Sequence, residues 1–125
     1  VIVRILSSLL VGVVLFVGGS HVAAADTRNV QAVVDAGGQR QWISCSGEGS
    51  PTVVISSGLG ADHSMWSRVL APMRQLTRVC VSDRPGLGSS PDRRGTHTNA
   101  GKHATELRAL LTAVGEKGPF ILVAH

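Results

Sequence analysis

Aromatic side chains are almost missing from this 125-residue chain, which has two tryptophans, two phenylalanines and no tyrosine. Phe16, Trp42, Trp66 and Phe120 are far apart, and the arginines after Arg4 are scattered at 28, 40, 68, 74, 78, 84, 93, 94 and 108 rather than gathered in a run. Nucleic-acid binding relies on stacking platforms and dense basic patches, so that partner class is set aside. Cysteine is equally scarce, and Cys45 and Cys80 lack the CxxC spacing of a metal or redox motif. His97 and His103 are six apart, not the i, i+4 pair that shares one helical face, so no metal is expected. Gly58-Leu59-Gly60-Ala61-Asp62-His63 and Gly86-Leu87-Gly88 both lack the third glycine of GxGxxG, and neither continues to Gly-Lys-Ser/Thr. No nucleotide site and no cofactor are expected. Internal repeats and low-complexity blocks are absent as well.

What is present begins with an apolar run. Arg4 precedes an almost unbroken hydrophobic stretch from Ile5 to Val17, followed by small residues through Ala25, the pattern of a secretory signal. An A-x-A site at Ala23 and Ala25 would release a chain starting at Asp26, placing the product outside the cell, in the periplasm or in the envelope. The alternative is an uncleaved anchor over residues 5–25, close to the roughly 20 residues a spanning helix needs. Gly18, Gly19, Ser20 and His21 argue against it. The chain opens on Val1, which leaves the true start open. Losing Arg4 with the signal lowers the formal charge by one, from +4 to +3. Residues 26–125 suffice for one domain, since folded units run from about 50 to 250 residues. Export would put both cysteines in an oxidising compartment.

The mature segment alternates short apolar runs with amphipathic stretches, the signature of an α/β architecture. Val30 to Ala36 and Gln39 to Ser46 read as two strands of a hairpin turning at Gly37-Gly38. Thr52 to Ser56 is a continuous β-branched run, as in a strand buried on both faces. Trp66, Val69, Leu70 and Met73 share one helical face, with Pro72 predicting a kink or an early start. Arg78 to Ser82 is the next strand. Ala104, Leu107, Leu111 and Val114 mark a second helical face, stopped by Gly115, Gly118 and Pro119. Phe120 to Ala124 reads as another buried strand, before His125 closes the sequence. This order implies parallel strands joined by right-handed crossovers after an antiparallel hairpin. A native edge is usually short, charged or covered, so an apolar strand at the terminus reads as a truncation.

Three segments, in order, resemble the α/β-hydrolase family: Thr52 to Gly60 with Trp66 (TVVISSGLG…W), Val79 to Ser90 (VCVSDRPGLGSS) and Gly118 to His125 (GPFILVAH). The resemblance spans about Gln39 to His125 and implies the N-terminal part of that family's sheet. It assigns Ser57-Gly58-Leu59 to the oxyanion-hole loop, with the Leu59 main-chain N–H as donor beside Gly58 and Ser57 in place of the usual histidine. A main-chain donor aimed at developing negative charge needs no particular side chain, so the departure bears on loop packing. An ordinary glycine-rich turn would look similar.

The second segment matches the family's D-R-x-G-x-G-x-S turn, with Asp83, Arg84, Gly86, Gly88 and Ser90 in register as a structural loop. Glycine admits backbone angles other residues resist, and Asp83 can accept hydrogen bonds from the turn. Asp83 is not the expected triad acid, because the family's acid follows the nucleophile in sequence. The third segment matches the strand entering the G-x-S-x-G elbow, with Ala124 at the first glycine's place and His125 just before the nucleophile. That nucleophile is expected immediately after His125, and no catalytic residue is expected within the chain. His63 reads either as a group lining the site mouth or as an ordinary surface-loop histidine. The family's second and fourth strands are neighbours and here carry Cys45 and Cys80, so the resemblance implies a disulfide if the Cα atoms lie within about 7 Å.

The resemblance implies an exported serine hydrolase of esterase or lipase type acting on a small-molecule ester or acyl substrate, this chain alone being inactive. The same fold also serves dehalogenases with an aspartate nucleophile and cofactor-free haloperoxidases. A third reading is an exported, non-catalytic binding protein on half a hydrolase scaffold. Membrane contact is expected only through the N-terminal segment if it stays uncleaved. Edman sequencing of the exported protein should begin Asp26-Thr27-Arg28; a chain retaining Ile5 to Val17 would establish the anchor instead.

Overall fold

The computed structural model describes residues 29–95 and 98–125. The expected signal over 1–25 and His97 lie outside the described residues. Among those described, no helix is long and apolar enough to cross a membrane.

Five strands form one sheet. β1 (Val30–Asp35) and β2 (Arg40–Ser46) are an antiparallel hairpin in the register Val30 to Cys45 and Asp35 to Arg40. Its turn is made by Gly37 at φ 69° and Gly38 at φ 89°, closed by the Ala36 N–H donating to the Gln39 carbonyl at 2.9 Å. Two successive positive φ angles match the twist of a tight hairpin. β3 (Thr52–Ser56), β4 (Val79–Ser82) and β5 (Phe120–Ala124) follow, and the order across the sheet is β1-β2-β4-β3-β5. β4 runs antiparallel to β2 and parallel to β3, and β5 runs parallel to β3.

Alternation of side chains along each strand divides the core into two layers. On one face Trp42, Val53, Ile55, Val79 and Val81 pack with Leu70 of α1 (Ser67–Met73), with Trp66 and Met73 at the margin. On the other face Ile43, Cys45, Val54 and Cys80 pack with Leu110 and Leu111 of α2 (Ala100–Ala113). A 3-10 turn, His63–Trp66, leads into α1 and is capped by Asp62, whose carboxylate accepts from the Ser64 N–H at 2.8 Å. Pro72 lies within α1, which ends at the following residue. Asn99 caps α2 by accepting from the Lys102 N–H. At the other end Gly115, at φ 77°, carries a paired cap: its N–H reaches the Thr112 carbonyl and that of Glu116 reaches Leu111. This is the left-handed helix stop that glycine makes cheapest.

Three expectations need correction. Val69 is exposed rather than on the covered face of α1, because the short helix touches the sheet along Trp66, Leu70 and Met73 only. The buried stripe of α2 centres on Leu110 and Leu111 with Glu106, while Ala104 is exposed. Glu106 can face inward because Arg93 grips its carboxylate with two bonds of 2.6 and 2.9 Å. Finally, among the described residues β5 is exposed rather than buried, with Leu122 67% accessible. Among the described residues it pairs with β3 alone.

Cys45 and Cys80 sit opposite each other in the β2–β4 register, with Cα atoms 4.0 Å apart and the sulfurs bonded. The bridge joins residues 35 apart in sequence and so restrains the unfolded chain. By loop-closure entropy it contributes on the order of 3–4 kcal/mol. A Cys45→Ala/Cys80→Ala variant should lose about that much in urea titration, and thiol titration of the unreduced denatured parent should find no free cysteine.

Candidate functional site

The carboxyl ends of β3 and β4 carry the two loops that the sequence motifs single out. Thr52 to Ile55 are buried on both sides, so β3 is a rigid stem, and the chain leaves it through Ser57, Gly58 and Leu59. Ser57 is fully enclosed, and its hydroxyl accepts from the Trp66 indole N–H at 3.0 Å. That bond ties the start of the loop to the entry of α1. Gly58 lies so close to the end of β5 that a Cβ there would collide with the His125 carbonyl. A side chain is therefore excluded at Gly58 by contact rather than by φ. Leu59 is 93% exposed, and its N–H meets no acceptor among the described residues. His125 itself is exposed at the end of β5.

The loop after β4 is organised around Asp83, which has no solvent exposure. A buried carboxylate must be compensated by donors. Asp83 receives the His63 main-chain N–H at 2.7 Å, the His63 Nδ1 at 2.7 Å and the Ser89 N–H at 2.8 Å. Ser90 completes the turn: its hydroxyl accepts from the Trp42 N–H at 2.8 Å and donates to the Asp83 carbonyl at 2.7 Å. Gly88, at φ 52°, has no room for a side chain, since a Cβ would strike the Asp83 carboxylate and Asp62. Gly86, at φ 80°, donates its N–H to the Pro91 carbonyl. Arg84 is half buried and its Nε finds no acceptor among the described residues.

His63 is the residue that reading the sequence as a surface loop misplaces. Its side chain keeps 31% exposure, held between Asp83 and the face of Trp42, the two rings stacking at 4.1 Å. Through it the β3 loop and the β4 loop become one unit. The sequence signal was indirect: a motif aspartate in a turn demands donors, but nothing local says that one lies 20 residues upstream. Asp62 beside it is held below the ordinary aspartate pKa by its hydrogen bonds with Ser64.

A second polar group was not foreseen as a group from the sequence. Gln41, Ser56, Ser82, Arg84 and His103 line a cavity of about 180 Å³ at the same end of the sheet, on the α2 side. Burial, with the positive charges of Arg84 and Arg93, holds the His103 imidazole below its ordinary pKa. The hydrogen bonds from Arg93 hold the Glu106 carboxyl below the ordinary glutamate value. At neutral pH His103 is therefore uncharged and Glu106 ionised. Among the described residues, the cluster of Cys45, Cys80 and Glu116 has ligand atoms within 4.8 Å of one another. Its sulfurs are bonded to each other, and Glu116 is paired with Arg78, which leaves no thiolate for a metal.

Replacing Asp83 with alanine should strand three donors. The variant is expected to lose on the order of 3 kcal/mol, read as a fall in the urea midpoint at unchanged slope.

No family model matches the sequence. The chain is 38% identical over 68 residues to RutD of Enterobacter cloacae, a protein named as a carbamate hydrolase, covering 54% of this chain and 26% of that one. It is 31% identical over 101 residues to efuK of Hormonema carpetanum, named as a transporter, covering 76% of this chain but 14% of that one. Among solved structures, the Cif epoxide hydrolase from Acinetobacter nosocomialis superposes with a TM-score of 0.70 at 23% identity, over 82% of this chain and 32% of that one. A bacterial membrane phospholipase A superposes at 0.69 and 22% identity, over 79% and 32%. The chain thus spans about a quarter of the length of RutD and a third of the solved structures. The sheet order, the helices on both faces and these superpositions agree, and the chain has the α/β-hydrolase fold, whose N-terminal part it matches.

Proposed function

We propose that the chain is the N-terminal part of an exported serine hydrolase that cleaves an ester or a related acyl bond. The observation that carries the reading is the β3 loop: Leu59 offers an N–H with no acceptor among the described residues, and its neighbour Gly58 rests on the end of β5 at His125. That junction is where the fold family's nucleophile turn begins. A serine there would attack the acyl carbon. A histidine further along the parent chain would take its proton, a carboxylate would orient that histidine, and Leu59 N–H would receive the oxyanion. The hydrolase names of RutD and of the superposed lipolytic and epoxide-opening enzymes support a hydrolytic parent. Gly58 and Leu59 serve as the oxyanion loop, and Asp83, Arg84, Gly86, Gly88 and Ser90 as its scaffold. The substrate is a small ester or acyl compound, and the 125 residues alone are inert.

A second reading keeps the fold and changes the bond that is cleaved. The epoxide hydrolases among the solved neighbours favour carrying it, and an aspartate nucleophile would mark it. In the full-length parent an alkyl fluorophosphonate should label one serine, the residue following His125. Leu59→Pro, which deletes the N–H, should lower kcat by about 100- to 1000-fold, while Leu59→Ala should leave it nearly unchanged. Hydrolysis with no labelling, or aspartate at that position, overturns the serine reading.

A further inference from the structure

Leu59 stands at the corner of a tight turn. The Ala61 N–H reaches the Gly58 carbonyl at 3.3 Å, and Gly60 takes φ 76°, at the position where such turns favour glycine. Residues 57–62 belong to no helix or strand, so the direction of the Leu59 N–H depends on how firmly the two legs of the turn are held. The near leg is tied by the bond from the Trp66 indole to the Ser57 hydroxyl. The far leg is tied by His63, twice: its main-chain N–H meets one Asp83 oxygen and its Nδ1 the other, both at 2.7 Å. A single bond would let the leg swivel about it, whereas two bonds to the two oxygens of an enclosed carboxylate fix it. Trp42 removes the remaining freedom, its ring lying against the imidazole at 29°. The two partners of His63 are joined to each other, since the Asp83 N–H donates to the Trp42 carbonyl at 3.1 Å. The far leg is thereby referenced to the sheet itself, through β2 and the end of β4.

We propose that His63 is a positioning residue for the oxyanion loop: its imidazole, gripped by Asp83 and laid on Trp42, sets the direction of the Leu59 N–H. The proposal rests on the acyl-transfer reading for the use of that N–H, and goes beyond it by assigning a side chain that acts only through the loop. The main-chain bond to Asp83 would be made by any residue except proline, so the part that calls for histidine is the ring. Asparagine carries an amide nitrogen at the same distance along the side chain as Nδ1 and can replace the bond without the ring. Phenylalanine can replace the ring without the bond. An oxyanion donor works by its distance to the developing charge, and a misplacement of about 1 Å costs up to about 100-fold in rate.

Two readouts on the full-length parent test it. With 15N-labelled leucine, His63→Ala and His63→Phe should shift the Leu59 amide resonance and lower its order parameter, and His63→Asn should restore both in large part. With p-nitrophenyl acetate, His63→Ala and His63→Phe should lower kcat about tenfold at nearly unchanged KM, and His63→Asn should recover most of the loss. In a Leu59→Pro background His63→Ala should cost nothing further, because the group it positions is gone. Should His63→Ala fail to fold by near-UV circular dichroism, His63→Phe carries the test. An unmoved Leu59 amide or an unchanged kcat in a folded His63→Ala or His63→Phe variant overturns the inference. So does a loss that His63→Asn does not recover, or one that adds in full to that of Leu59→Pro. Failure of the acyl-transfer reading shows differently, as no fluorophosphonate labelling of the unsubstituted parent, and the Leu59 amide then decides the positioning by itself.

Discussion

One buried charge organises this end of the molecule. Asp83 has no solvent exposure, and a lone carboxylate in such a place would be prohibitively costly without donors around it. Its three donors come from two loops, His63 from the segment after β3 and Ser89 from the turn after β4. Satisfying the charge therefore fixes the loops relative to each other. The glycine at 88 is a consequence of the same demand, since the carboxylate occupies the space a Cβ would need. Ser90 extends the arrangement to β2 through the Trp42 N–H. Trp42 in turn supplies the flat surface on which the His63 ring lies.

The disulfide does for the sheet what Asp83 does for the loops. β1 and β2 are a hairpin, a local structure that forms from neighbouring sequence, whereas β3, β4 and β5 depend on crossovers. Cys45 and Cys80 join the two kinds of pairing at the β2–β4 boundary. Two further clamps involve α2: Arg78 with Glu116 just beyond its end, and Arg93 with Glu106 in its middle. Both are bidentate and largely enclosed, which makes them positional devices more than sources of net stability.

Much of this was legible in the sequence, and the parts that were not have a common cause. Strand positions were readable because Thr52 to Ser56 and Val79 to Ser82 are β-branched runs with no polar interruption. The hairpin was readable because Gly37-Gly38 is a local signal. What failed were properties that depend on a distant partner. Glu106 looks like a solvent residue until Arg93 is seen to neutralise it, and with it the buried stripe of α2 turns from Ala104 to Leu110. Val69 has the right spacing, yet a helix of seven residues meets too little sheet to cover it. Phe120 to Ala124 has a core composition, but burial is conferred by neighbours, and among the described residues β5 has a strand on one side only. His63 carries no local sign that a buried carboxylate waits 20 positions on.

The contact between Gly58 and His125 has a consequence for the order of assembly. The loop after β3 is held at its start by Ser57 and Trp66 and further on by His63, but between these it leans on the end of β5. β5 lies far from β3 in sequence and pairs only after the second crossover is complete. Until that strand docks, the loop has no wall behind it, so its geometry depends on a pairing distant in sequence. Separation of β5 from β3 would correspondingly disarm the loop while the disulfide-linked centre stayed intact. The β3 amides that turn toward β5, those of Thr52, Val54 and Ser56, would report such opening first, since Val53 and Ile55 turn theirs toward β4.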